Sequence, residues 1–256
     1  GRVASDVIDG FICDRGFQLI NAQYPALEEL KVVNELDFIA APRVIEVCLN
    51  DGRHPIGDPR QVPWTALDKA TGTIPEKLAL LRIIMGQAKA GESIGQELRS
   101  TGSCYDRVLR PFLQGVFLTD PDNVDATYGH SIIRSFVSGR PGVPRNGVGE
   151  LPKALVKRIS NINYNTRVDR IEQTSVHTNN GTLTAKKILI ATDATTATQL
   201  LGLPEVPRMA GCITWYHAVS HNPSGNGRLV VDGLKRGPII NTVVMSDISK
   251  NYITRL

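Results

Sequence analysis

The run Leu183-Thr184-Ala185-Lys186-Lys187-Ile188-Leu189-Ile190-Ala191-Thr192 decides the reading of the fold. Its second half is apolar from Ile188 through Ala191, with no polar residue alternating. An unbroken apolar run of this kind marks a strand covered on both faces, as in the centre of a parallel sheet. Just upstream, Asn180-Gly181 is a type I′ turn signal, so residues 175–178 and 183–192 are predicted to form a hairpin. Residues 162–164 and 167–171 read as further strands. Residues 150–159 read as a short amphipathic helix with Leu151, Leu155 and Ile159 on one side.

Working outward, the N-terminal side has a different texture. Phe11-Ile12-Cys13 reads as a strand entered through an Asp9-Gly10 turn, and Tyr24-Pro25 opens a helix through Leu30. Residues 43–50 form an apolar-rich strand ending at an Asp51-Gly52 turn, after which Pro55, Pro59 and Pro63 predict loop. The clearest helix spans 73–90. Thr73 and Glu76 have capping-box spacing, Pro75 sits in the first turn, and Ile74, Leu78, Leu81, Ile84 and Met85 predict one buried face. Residues 94–114 continue as helix, and the Gly/Pro-rich stretch 139–149 ends the helical region. Residues 212–221, 228–231 and 238–245 read as β-rich.

Composition narrows the function classes. The chain has 256 residues and a formal net charge of +4, with scattered basic residues and no Lys/Arg block, which disfavours nucleic acid as a partner. No apolar run approaches the roughly 18 residues that span a bilayer. Cys13, Cys48, Cys104 and Cys212 are too dispersed for a zinc or redox motif and read as free thiols in a reducing compartment. The expected location is the cytoplasm or an organelle stroma, with room for peripheral attachment to a membrane. His217 and His221 are four apart but lie in strand-like sequence without an acidic or thiol companion, so no metal is expected. No Ser-His-Asp or Cys-His arrangement and no phosphate loop is present. The chain opens on Gly-Arg-Val and closes on Thr-Arg-Leu, so both ends read as cuts in a longer chain.

Four stretches carry a resemblance. They are Gly1-Arg2-Val3 with Asp14-Arg15-Gly16-Phe17-Gln18; Arg110-Pro111-Phe112-Leu113-Gln114-Gly115-Val116-Phe117-Leu118; Pro144-Arg145-Asn146-Gly147-Val148-Gly149; and Asn165-Thr166-Arg167-Val168-Asp169-Arg170-Ile171 followed by Ile190-Ala191-Thr192-Asp193. In this order they resemble the flavin-containing amine oxidase and phytoene desaturase superfamily, most of all its phytoene-dehydrogenase-like branch. The resemblance implies FAD as cofactor. It places Gly1 and Arg2 at the diphosphate, where a guanidinium fork meets phosphate oxygens in pairs. It places Gly16, Phe17 and Gln18 beside the flavin ring and Val168 at the adenine side. Ala191, Thr192 and Asp193 fall at the carboxyl edge of the parallel sheet, where α/β folds bind ligands. Tyr216 is implied as a substrate-cavity residue. The second stretch carries no chemical role, and no catalytic acid or base stands out.

The implied fold is α/β: a partial, Rossmann-like FAD/NAD(P)-binding domain interleaved with an α+β substrate domain. Residues 1–37 and 143–200 would form the FAD part, 38–142 a mostly helical substrate part, and 201–256 a β-rich substrate part. The implied reaction removes hydride from a C–C or C–N bond of an apolar or amine small molecule. The sequence does not choose the electron acceptor. A non-redox isomerase or mutase on the same fold and a cofactor-less interaction protein are the alternatives. The Gly-x-Gly-x-x-Gly diphosphate turn is absent from the 256 residues, and so is the family's C-terminal Gly-Asp motif. The isolated chain is therefore expected to bind FAD poorly and to be inactive.

Overall fold

The computed structural model describes residues 3–16, 19–60, 62–206 and 208–253. The chain forms two compact units. One contains the residues up to Val156 and those from Cys212 onward; the other is Lys157–Gly211.

The larger unit opens with β1 (Ser5–Ile8) and β2 (Phe11–Asp14), an antiparallel hairpin in which Ile8 pairs with Phe11. The two loop residues, Asp9 and Gly10, both have positive φ, 48° and 77°, as the type I′ turn requires. β3 (Ile20–Asn21), α1 (Pro25–Leu30) and β4 (Phe38–Ala40) follow, then β5 (Val44–Leu49) and β6 (Gly52–Gly57). The β6 strand runs through Pro55, where loop was predicted. It is the outer strand of its sheet, so the proline's missing N–H can face away from the ladder.

The helical part comprises α2 (Ile74–Met85), α3 (Ile94–Leu98), α4 (Arg110–Phe117) and α5 (Ala126–Ser138), with a π-helical turn over Cys104–Leu109 leading into α4. The Thr73–Glu76 capping box forms as predicted. Of the expected buried face, only Ile84 packs inward. Ile74, Leu78, Leu81 and Met85 are exposed, while Leu80, Ile83 and Ile84 pack against Ile94, Leu98 and Ile133. The helix is apolar over more than one face, so its spacing could not say which stripe is covered. Tertiary contacts chose: the Lys77 ammonium donates to the carbonyls of Thr65, Ala66 and Asp68, which sets the rotation of α2.

β7 (Pro141–Pro144) lies between β3 and β4 in a three-stranded antiparallel sheet and leads to α6 (Glu150–Val156). The smaller unit holds β8 (Val168–Glu172), β9 (Ser175–Thr178), β10 (Gly181–Thr184) and α7 (Ala194–Leu201). The chain then returns with β11 (Leu229–Asp232), β12 (Asn241–Thr242) and α8 (Met245–Ile248). A four-stranded sheet in the order β12-β11-β5-β6 contains the parallel pair β5–β11.

Several expected strands are absent. Residues 162–164, 188–192 and 212–221 have no ladder partner among the described residues. A strand exists only through a neighbour that takes its backbone hydrogen bonds, and composition cannot supply one. The β9–β10 turn is also shifted by one residue: Thr178 pairs with Gly181, so Asn179 and Asn180 form the loop, and neither has the positive φ of a type I′ turn.

The Arg110–Leu118 stretch acquires a packing role. Arg110 and Gln114 both bind the Asp120 carboxylate, and Phe112 meets Phe136 edge-on at 5.2 Å. A Cβ on Gly115 would lie 2.4 Å from the Asn241 amide nitrogen, so this glycine lets α4 approach β12.

Candidate functional site

The end of β2 carries a charge where an apolar strand would end. Asp14 is only 1% exposed, and every polar atom of its side chain is used. Its Oδ1 accepts from the Ser5 hydroxyl at 2.5 Å and from the Val148 amide at 3.1 Å; its Oδ2 accepts from the Tyr252 hydroxyl at 2.6 Å. Its main-chain carbonyl accepts from the Tyr216 hydroxyl at 2.7 Å. Ser5 Oγ in turn accepts from the Gly149 amide at 2.9 Å.

These bonds tie together stretches far apart in sequence. The 144–149 turn docks on the β1–β2 hairpin through Val148 and Gly149. Gly147 has φ 91°, and a Cβ there would lie 2.5 Å from Ser5 Oγ and 2.8 Å from Ile12. Residues 249–253 close the cluster: Phe11 bridges to Ile253, and the Ser249 hydroxyl donates to the Arg145 carbonyl. Ile12, Val143, Val148, Ile248 and Tyr252 form the apolar core around it.

The electrostatics follow from burial beside a carboxylate. Burial and then the Asp14 charge push the Tyr216 phenol up to about 12. Burial, the bond to Asp14 and its charge raise Tyr252 further still. Both phenols therefore stay protonated and act as donors. Cys13 is raised as well, by burial and by Asp14.

Arg15 turns outward and pairs with Asp6 through two bonds of 2.8 and 2.9 Å. Gly16 follows with φ 74°, a left-handed conformation that costs little only for glycine. Gly1, Arg2, Phe17 and Gln18 lie outside the described residues.

The other predicted residues belong to the smaller unit. Val168 starts β8 opposite Thr178 and is followed by a register shift before Arg170. Ala191 and Thr192 are exposed and end no strand, which corrects the expected parallel-sheet edge; Leu189 is 90% exposed. Asp193 is the N-cap of α7, accepting from the Thr196 amide at 3.1 Å and the Thr196 hydroxyl at 2.8 Å. These bonds hold its carboxyl below the usual range. An ionised cap already complements the helix N-terminus, which makes that end a poor phosphate site.

No group of three or more potential metal ligands occurs among the described residues. The four cysteines are free. No helix among the described residues is long and apolar enough to cross a membrane.

The profile of the flavin containing amine oxidoreductases matches residues 1–213. The chain belongs to that family. The cofactor that goes with the family is FAD. No curated protein matches the chain. Among solved structures, it is similar to an oxidoreductase from Methanosarcina mazei, with 15% identity over 98% of this chain and 67% of the other, at a TM-score of 0.68. It is similar to a protein from Exiguobacterium sp. 255-15 provisionally titled a protoporphyrinogen oxidase, with 17% identity over 99% of this chain and 66% of the other, at 0.65. It is also similar to a reduced UDP-galactopyranose mutase, with 13% identity over 98% and 63%, at 0.61. At these identities the likeness is one of fold, a mixed α/β architecture. The chain spans about two thirds of the length of each.

The residues present fit FAD in part. A family member needs a backbone that can approach a flat ring closely, and Gly16, at positive φ on an anchored strand end, suits that. The glycine-rich turn that would receive the diphosphate is not among the 256 residues.

Sequence reasoning named the Asp14–Gln18 stretch and the 144–149 turn but not their connection. A lone Asp closing the apolar run Phe11-Ile12-Cys13 was the available signal. Nothing marked Tyr252, which meets Asp14 across 238 residues of chain.

Proposed function

We propose that this chain serves an FAD-dependent oxidoreductase that removes hydride from a C–C or C–N bond of an apolar or amine small molecule. Membership of the flavin containing amine oxidoreductases, matched over residues 1–213, carries the reading. Bound FAD would supply the two-electron acceptor. The chain's own residues would bind and orient it: Gly1 and Arg2 at the diphosphate, Gly16, Phe17 and Gln18 beside the ring, and Val168 at the adenine side. Tyr216 fits two tasks at once. Its hydroxyl holds the Asp14 carbonyl, and its ring, 42% exposed, offers an apolar face to substrate. Residues 1–37 and 143–200 would contribute to the FAD domain, and 38–142 and 201–256 to the substrate domain. No acid–base pair is required of the protein, because positioning and exclusion of water are its part in a hydride transfer.

The test is the absorbance spectrum of the full-length gene product, followed by anaerobic addition of amine and polyene donors. Flavin bands that are released on denaturation and bleached by one donor class are expected. A protein that takes up no FAD sinks the reading. Bound flavin that no donor bleaches turns it toward a non-redox isomerase.

A further inference from the structure

We infer that Asp14, with Tyr252 and Tyr216, is a positioning clamp for the flavin-side backbone at Arg15 and Gly16; this rests on the FAD reading above. Tyr216 and Tyr252 both lie beyond residues 1–213, the part the family profile matches.

The argument is geometric. The segment meant to approach the ring leaves β2 at Asp14. A loop starting from a strand end inherits any tilt of that end. Here the end is held on every side. Ser5 fixes it to the neighbouring strand, the Val148 amide to the 144–149 turn, and Tyr252 to the chain's returning segment. Tyr216 holds the main chain itself, at the carbonyl immediately before Arg15. Arg15 closes the hairpin by donating its amide to Ala4 at 2.8 Å. Gly16 is thus the first residue past a fully bonded anchor.

The chemistry suits positioning rather than proton transfer. The carboxylate is 1% exposed and both of its oxygens already accept hydrogen bonds, so it is not presented to substrate as a base. Bonds to a buried acceptor are strengthened by the low dielectric around them, which makes an anchor stiff. A purely apolar anchor would be as stable yet would not fix the rotation of the strand end. Removing one donor should therefore move the loop by a fraction of an ångström without unfolding the protein, and sub-ångström shifts matter at a reacting centre.

The experiment uses the full-length gene product loaded with FAD. Tyr252→Phe deletes one bond and leaves the ring in the core. Asp14→Asn keeps the shape while weakening all three. Three quantities are read: melting temperature, the FAD dissociation constant, and the visible flavin spectrum, which responds to what touches the ring. Loss of one charge-assisted bond is expected to weaken FAD about tenfold and to shift the flavin bands, with Asp14→Asn at least as severe. Tyr216→Phe should shift the bands the same way. If the variants melt lower but hold FAD with wild-type affinity and an unchanged spectrum, the cluster is a fold element only and the assignment is overturned. A wild type that takes up no FAD overturns the oxidoreductase reading itself, and this assignment with it.

Discussion

The Asp14 cluster and the segment Lys157–Gly211 are built by opposite means. Around Asp14, residues from positions 5, 14, 148, 216 and 252 converge, and Val143 and Val148 have no exposed surface. In Lys157–Gly211, Thr198 is the one buried residue among those described. Its structure rests on local devices: the β8–β9–β10 ladders, hydrogen bonds donated by the Asn179 and Asn180 side-chain amides to the Asn165 carbonyl, and the Asp193 cap. Three strands and one helix with almost no covered apolar surface have little to hold them beyond hydrogen bonds exposed to water. The stretch first read as the centre of a sheet is thus open to solvent, with Leu189 90% exposed. The carboxylate of Asp14, which a composition rule would place outside, is buried and bonded on both oxygens.

Breaking the firm side should give the largest effect. Asp14→Ala leaves the Val148 amide and the Tyr252 hydroxyl buried without an acceptor, and is expected to cost about 3 kcal/mol in chemical denaturation. A loss under about 0.5 kcal/mol, the size of an ordinary surface change, would remove the contrast between the two regions.

A middle effect tests the local devices. Asp193→Ala removes the cap of α7, and amide exchange over residues 194–201 should accelerate while the Asp14 cluster stays protected. The sign with pH is fixed. The folded carboxyl is held below its ordinary value of 3.8, so its contribution is complete above that value and lost as pH falls through the folded one. The difference between variant and wild type should therefore hold above pH 3.8 and shrink as pH falls below it. A difference that grows on acidification would contradict the cap.

The smallest effect is expected at Leu189. With 90% of its surface exposed, Leu189→Lys should change stability by less than about 0.5 kcal/mol. A loss of several times that would mean the apolar run 188–191 is covered after all, and would restore the central-strand reading.

Much of the fold was legible because it depends on neighbours in sequence. The Asp9-Gly10 turn, the Thr73–Glu76 box, the strand Val44–Leu49 and the helix opening at Pro25 all formed where the residues indicated. Each is decided within a few residues by backbone sterics and local hydrogen bonds. The family, too, was readable from four short stretches in order. Of the residues assigned to the site, Gly16 has a positive φ of 74°.

The rest was decided by partners distant in the chain. Whether the 188–191 run becomes a strand depends on a neighbouring backbone, and no strand flanks it among the described residues. Which stripe of α2 is covered depends on the turn that Lys77 grips. That Asp14 is a buried anchor rather than a surface acid depends on Ser5, Val148, Tyr216 and Tyr252 arriving together. The physical reason is one of range. Dihedral preferences and caps act over a turn or two, so the sequence alone determines them; burial and the pairing of polar groups depend on which segments meet, and only the tertiary structure settles that.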